Sequence, residues 1–222
     1  ATDHESLAGC IAETTEMINR AKQPVILAGI ELHRCKLTDR VLRMAEKFNI
    51  PIAATMLSKS VVRENHPLYI GVYGGALSDA GCRDYVDESD CVIMLGTFIT
   101  DMFLGINTAR LTRPRSILCT TERTRVGLHH YEGVGFESFL RGLGKADVTP
   151  RGALSNPNPA KVPKPLGRKE RQDKLSSDDV FRIVGLHLDE KSVVVCDTGD
   201  ALLGAIGLRT AKRQEFIADA YY

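Results

Sequence analysis

The residues in this chain best suited to chemistry are Asp197-Thr198-Gly199-Asp200. They follow Ser192-Val193-Val194-Val195-Cys196, an apolar run that reads as a buried strand. Ligands of open α/β folds collect at the carboxyl ends of strands. A threonine hydroxyl, a glycine permitting close approach and exposed backbone N–H groups suit a phosphate there. The same four residues would also make an ordinary turn. Asp101, beyond Gly96-Thr97, stands at another strand end, where a helix cap or a structural hydrogen bond is the simpler role. Gly29 invites a dinucleotide reading, but that fingerprint needs Gly-x-Gly-x-x-Gly. The stretch is Gly29-Ile30-Glu31-Leu32-His33-Arg34, with two glycines missing and Glu31 facing any pyrophosphate, so a turn glycine is expected. His129-His130 suggests acid–base work, yet adjacent residues cannot share a face, so at most one enters a given site. No His/Cys/carboxylate cluster has metal-ligand spacing, and neither Gly-x-x-x-x-Gly-Lys-Ser/Thr nor Gly-x-Ser-x-Gly occurs. No catalytic residue and no metal ligand is assigned from the sequence.

The elements that would position these residues alternate between strand and helix. Leu7 to Arg20 carries a helical apolar stripe. Pro24-Val25-Ile26-Leu27-Ala28 is a buried strand ending at Gly29, and Leu37, Val41, Met44, Ala45 and Phe48 mark the next helix. Pro51 to Thr55 is a second strand, completing a parallel βαβ unit with a right-handed crossover. Gly71, Gly74 and Gly75 punctuate a segment too glycine-rich for regular structure. Ser78 and Asp79 can cap a helix running to about Glu88. Cys91–Leu95 and Ser116–Thr120 are the third and fourth strands, Phe136 to Leu143 a closing helix, and Ser192–Cys196 the fifth buried strand. This pattern predicts an α/β fold with an open, mostly parallel, doubly wound Rossmann-like sheet, followed by a truncated second α/β segment.

Domain organisation follows composition. Residues 1–143 form the α/β domain. Residues 144–175 hold five of the nine prolines and eight Lys/Arg against three Asp/Glu, and read as a linker or extended strap. Residues 176–222 open a second α/β domain, beginning with the helix start Ser176-Ser177-Asp178-Asp179, whose apolar face is Val180, Ile183, Val184 and Leu188. The chain ends at Ala220-Tyr221-Tyr222, before such a domain is complete. A hydrophobic fraction of 43% supports a sizeable core. The net charge of +1, with signs mixed, gives no argument for nucleic acid or an anionic membrane. No apolar run approaches the roughly 18 residues of a membrane span, and the polar start is unlike a signal peptide. Six widely spaced cysteines without Cys-x-x-Cys read as reduced core thiols of a cytoplasmic protein.

Several segments in fixed order carry a resemblance. Ala21 to Gly29, Ile50-Pro51, Lys59-Ser60, His66 to Gly71 and Asp90 to Gly96 resemble the central domain of thiamine diphosphate-dependent enzymes. Gly71 to Ser78 and Leu111 to Glu132 look most like the pyruvate/indolepyruvate decarboxylase branch, and Val193 onward is similar to the start of the C-terminal, diphosphate-binding domain. The resemblance implies three α/β domains, of which this chain holds the second and the opening of the third. It implies thiamine diphosphate and Mg²⁺ as cofactors of the full-length protein and a homo-oligomer, dimer or tetramer. The activating glutamate and paired histidines of the N-terminal pyrimidine-binding domain, and the Gly-Asp-Gly…Asn motif for Mg²⁺ and diphosphate, would lie outside this chain. Thr198, Gly199 and Asp200 match positions that contact the diphosphate or aminopyrimidine. The expected function is therefore a fragment of a 2-oxo acid decarboxylase of the indolepyruvate/phenylpyruvate type, inactive alone. The alternatives are an acetolactate synthase-type carboligase, a stand-alone nucleotide- or effector-binding module, and an oligomerisation scaffold.

Overall fold

A computed structural model describes residues 2–100, 105, 108–152, 156–159, 163–167, 174–210 and 216–219. Asp101 and Ala220-Tyr221-Tyr222 lie outside the described residues.

The chain opens with α1 (His4–Arg20), capped by the Asp3 carboxylate accepting from the Glu5 N–H. It continues through β1 (Pro24–Ala28), α2 (Glu31–Arg34), α3 (Thr38–Phe48), β2 (Ile52–Thr55), β3 (Tyr69–Tyr73), α4 (Ala80–Glu88) and β4 (Cys91–Leu95). Then follow β5 (Ser116–Cys119), β6 (Thr124–Val126), β7 (His129–Tyr131) and α5 (Phe136–Lys145). These seven strands form one sheet in the order β3-β2-β1-β4-β5-β6-β7. The first five are parallel, and β6 pairs antiparallel with both β5 and β7. The Asp90 carboxylate accepts from the Lys22 and Gln23 N–H groups at 2.7 and 2.9 Å, fixing where β1 starts beside β4.

Alternation along the strands divides the core in two. Ile26, Ala28, Ile93, Leu95 and Ile117 pack with α1, α3 and α5 on one face. Val25, Leu27, Val92, Met94 and Leu118 pack with Cys82 and Val86 of α4 on the other. The expected open, mostly parallel sheet with helices on both faces is what forms.

The glycine-rich segment departs from expectation: Tyr69–Tyr73 is a fully buried edge strand. A register shift between Ile52 and Ala53 admits it, placing Gly71 at φ 129, where a side chain would be strained. The strap supplies what an edge strand lacks. Asn156 Nδ2 donates to the Tyr69 carbonyl at 2.9 Å and Asn158 Nδ2 to the Ile70 carbonyl at 2.7 Å.

Beyond the strap come α6 (Ser177–His187), β8 (Val194–Cys196), α7 (Asp200–Ala205) and β9 (Phe216–Ala218), with β8 and β9 paired in a separate parallel sheet. Ser176 and Asp179 form a reciprocal capping box at the start of α6. The expectation of a buried fifth strand is corrected here, because β8 has three residues and Val195 is 71% exposed. Val180 and Val184 of α6 are also exposed. A sheet of two strands offers too little surface to cover both faces, and these side chains remain in contact with solvent. The thiols are likewise mixed rather than all core: Cys10, Cys82, Cys91 and Cys119 are buried, Cys196 is half-buried and Cys35 is exposed. No helix among the described residues is long and apolar enough to cross a membrane.

Candidate cofactor-contact turn and its buried support

Gly29 closes the ends of the central strands against each other. A Cβ there would lie 2.0 Å from the Gly96 carbonyl oxygen and 2.3 Å from the Thr97 nitrogen. The glycine permits the Gly29 N–H to reach the Leu95 carbonyl at 2.9 Å and the Glu31 N–H to reach the Gly96 carbonyl at 3.1 Å. Strand order turns about β1 and β4, the usual ligand crevice of such sheets. Here Glu31 spans it, accepting from the Thr121 N–H at 2.9 Å and hydroxyl at 2.6 Å. Gly29 is therefore a packing glycine in a backbone–backbone contact within the fold.

The other sequence candidates separate in space. His129 is exposed, its Nδ1 2.8 Å from the Glu13 carboxylate. His130 is also exposed and borders a cavity of about 250 Å³ with Arg113, Arg123 and Arg125. Asp79 caps α4 by accepting from the Gly81 N–H at 3.0 Å, while Ser78 Oγ accepts from the Gly74 N–H at 2.7 Å.

The Thr198–Asp200 turn links β8 to α7. Gly199 adopts φ 81 and ψ −144, a backbone shape that a side chain would strain. Its carbonyl accepts the Leu203 N–H at 3.1 Å, which starts the helix. Asp200 lies exposed in the first turn of α7, and Thr198 is half-buried. The Asp197 carboxylate accepts from the Thr198 N–H at 2.8 Å and from the Thr198 hydroxyl at 3.4 Å. This carboxylate takes the donors that a phosphate would use. Asp197 and the exposed Asp200 put two carboxylates at this turn, and a bare anion approaching it meets their charge as well as the turn's N–H groups. Among the described residues no group of three His, Cys, Asp or Glu could hold a metal ion.

Two apolar contacts position α7. Leu202 and Ile206 meet Met56, Leu57 and Val72 at the β2–β3 edge, while Ala205 joins Val194, Leu208 and Phe181. Gly204 touches the Phe181 ring so closely that a Cβ would fall 1.9 Å from it.

Between α7 and the β3–α4 connection lies a cleft of about 510 Å³ lined by Gly71, Ser78, Asp79, Leu203 and Gly204. At its base is a cluster that sequence reasoning missed. Lys59 and Glu64 form an ion pair with side chains 1% and 0% exposed. The Glu64 carboxylate also accepts from the Tyr69 hydroxyl at 3.1 Å and the Thr210 N–H at 2.8 Å. The Arg209 guanidinium lies 5.3 Å over the Tyr69 ring. Burial pulls the Lys59 ammonium down despite the attraction of Glu64, and pushes the Tyr69 phenol well above its usual range. Lys59 and Glu64 stand five apart beside Val61-Val62, with no helical or strand period to pair them, so only the folded chain reveals the contact.

The chain is 27% identical to pyruvate decarboxylase 1 of Pisum sativum over 94% of its own length and 35% of that protein's. It is 28% identical to pyruvate decarboxylase 4 of Arabidopsis thaliana over 93% of its length and 34% of that protein's. Indole-3-pyruvate decarboxylase of Azospirillum brasilense is 23% identical over 99% of this chain and 40% of that enzyme. The chain thus spans little more than a third of the curated relatives it matches. Residues 11–134 match the central domain of the thiamine pyrophosphate enzymes, and the chain belongs to that family.

Proposed function

We propose that this chain is the central part of a thiamine diphosphate-dependent 2-oxo acid decarboxylase of the indolepyruvate/phenylpyruvate type, and that it is inactive alone. In this reading residues 1–143 are the central domain, 144–175 a strap and 176–222 the opening of the diphosphate-binding domain. The N-terminal pyrimidine-binding domain and the rest of the C-terminal domain complete the site, in a homo-oligomer located in the cytoplasm. The observation that carries the reading is the likeness of nearly the whole chain to pyruvate and indole-3-pyruvate decarboxylases, added to the family match over residues 11–134.

Bound thiamine diphosphate supplies a nucleophilic thiazolium carbon and an electron sink for decarboxylation. The role of this chain is narrower. Thr198, Gly199 and Asp200 would contact the diphosphate or the aminopyrimidine of the cofactor, Gly199 letting the backbone approach it without a Cβ in the way. The central sheet holds that turn in place. Mg²⁺ is assigned to ligands outside this chain. Titration of the purified chain with thiamine diphosphate and Mg²⁺, with a CO₂-release assay alongside, tests the division of labour. No turnover and no tight binding are expected. Tight binding or turnover by this chain would overturn it.

A further inference from the structure

The buried ion pair belongs to the loop after β2, yet the chain it grips lies beyond α7. Lys59 Nζ donates to the two Glu64 oxygens at 2.9 and 3.0 Å and also to the Leu208 carbonyl. Glu64 Oε2 accepts from the Thr210 N–H at 2.8 Å. Arg209, between them, donates to the carbonyls of Glu64 and Asn158 at 3.4 Å each. Three successive residues are thus held from the β2–β3 connection and the strap.

From Leu208 back to the candidate turn, backbone hydrogen bonds brace each turn of the chain. The Leu208 N–H reaches the Ala205 carbonyl at 3.0 Å, the Ile206 N–H reaches Leu202 at 3.0 Å, and the Leu203 N–H reaches Gly199 at 3.1 Å. The apolar contacts of Leu202 and Ile206 attract α7 to the sheet edge but have no preferred direction. Charge-assisted hydrogen bonds are directional and strong. The 510 Å³ cleft leaves one side of α7 without a packing partner, so the grip at its far end adds direction to the apolar contacts made on its other sides.

We propose that Lys59 and Glu64 are positioning residues that clamp the Leu208–Thr210 segment and thereby set the orientation of α7 and of the Thr198–Asp200 turn toward the cofactor. This inference rests on the proposed cofactor role of that turn. Removal of both members is the fair perturbation, because removing one strands the other as a buried charge, whereas an apolar pair of similar size is commonly tolerated.

The test uses Lys59→Met/Glu64→Leu, with Glu64→Gln as a second variant and Thr198→Val as a direct probe of the turn. In the full-length protein, the double variant raises the half-saturating concentration of thiamine diphosphate with Mg²⁺ about tenfold or more, the order of one lost charged hydrogen bond. The kcat at saturating cofactor stays within about twofold, because α7 is reoriented and no reacting group is lost. Amide exchange at residues 200–210 accelerates about tenfold, while β1 and β4 keep their protection. Unchanged exchange at 200–210 in both pair variants, or equal loss of protection in β1 and β4, would overturn the clamp. If Thr198→Val weakens cofactor binding and the pair variants do not, the positioning inference fails alone. If Thr198→Val has no effect on cofactor binding, the role of the turn fails first.

Discussion

Replacing Gly29 with alanine tests how the centre of the fold is joined. The added Cβ would sit 2.0 Å from the Gly96 carbonyl oxygen, against an ordinary contact of 3.4 Å or more, and its nearest neighbours are backbone atoms. No side-chain rotation relieves that overlap. β1 and β4 must part by more than an ångström at their ends, straining or breaking the Gly29-to-Leu95 and Glu31-to-Gly96 hydrogen bonds. Overpacking costs about 1–3 kcal/mol, and two lost backbone hydrogen bonds add about 1–3 kcal/mol. The expected destabilisation is about 2–6 kcal/mol, a large share of a typical domain's stability of about 5–15 kcal/mol. The chain contains no tryptophan, so far-UV circular dichroism in urea is the suitable probe. With an m-value of about 2 kcal/mol/M, the midpoint falls by about 1–3 M. Gly144→Ala is the matched control, because a Cβ at Gly144, in the last turn of α5, has no neighbour within 4 Å. It should be neutral or stabilising by up to about 1 kcal/mol. A Gly29→Ala protein within about 1 kcal/mol of the parent would refute the close-approach argument.

Other outcomes follow from the same reasoning. Gly204→Ala drives a methyl group into the Phe181 ring and should loosen α6 from α7 by about 1–3 kcal/mol, seen as faster amide exchange in both helices with β1 and β4 unaffected. The Asp179 carboxyl is held below its ordinary value of 3.8 chiefly by the Ser176 side chain, then by the Ser176 N–H. Its contribution to the start of α6 is therefore complete above pH 3.8 and is lost as the pH falls below that through the folded value. NMR shifts of residues 176–180 followed from pH 6 to 2 check this, and Asp179→Asn should flatten the profile. Burial pushes the thiols of Cys10, Cys82, Cys91 and Cys119 up to about 12, while Cys35 is exposed. Alkylation of the native protein at pH 8 should mark Cys35 first and leave those four intact until unfolding.

Much of the parallel core was legible because each strand is a continuous apolar run between turn residues, as at Val25-Ile26-Leu27-Ala28-Gly29. The role of Gly29 as a packing glycine was legible too, since Glu31 and the missing glycines argued against a phosphate-binding turn. β3 was not legible. Glycine at position 71 weakens a strand by any local rule, and only the bulge opposite Ile52 and the asparagines of the strap make it a paired edge. β8 erred in the other direction: Val193-Val194-Val195 reads as core, but burial depends on a covering layer that local sequence does not report. The Lys59–Glu64 pair was invisible for a related reason, because its partners Leu208 and Thr210 are some 150 positions away and contribute only backbone atoms.

The central claim is that this chain serves a thiamine diphosphate-dependent decarboxylase. Its most direct test is CO₂ release from indole-3-pyruvate by the full-length protein, stripped of cofactor and then reconstituted. Activity that is absent after stripping and restored by thiamine diphosphate with Mg²⁺ is the predicted result. Acetolactate as the main product from pyruvate, or decarboxylation that persists without the cofactor, would contradict it.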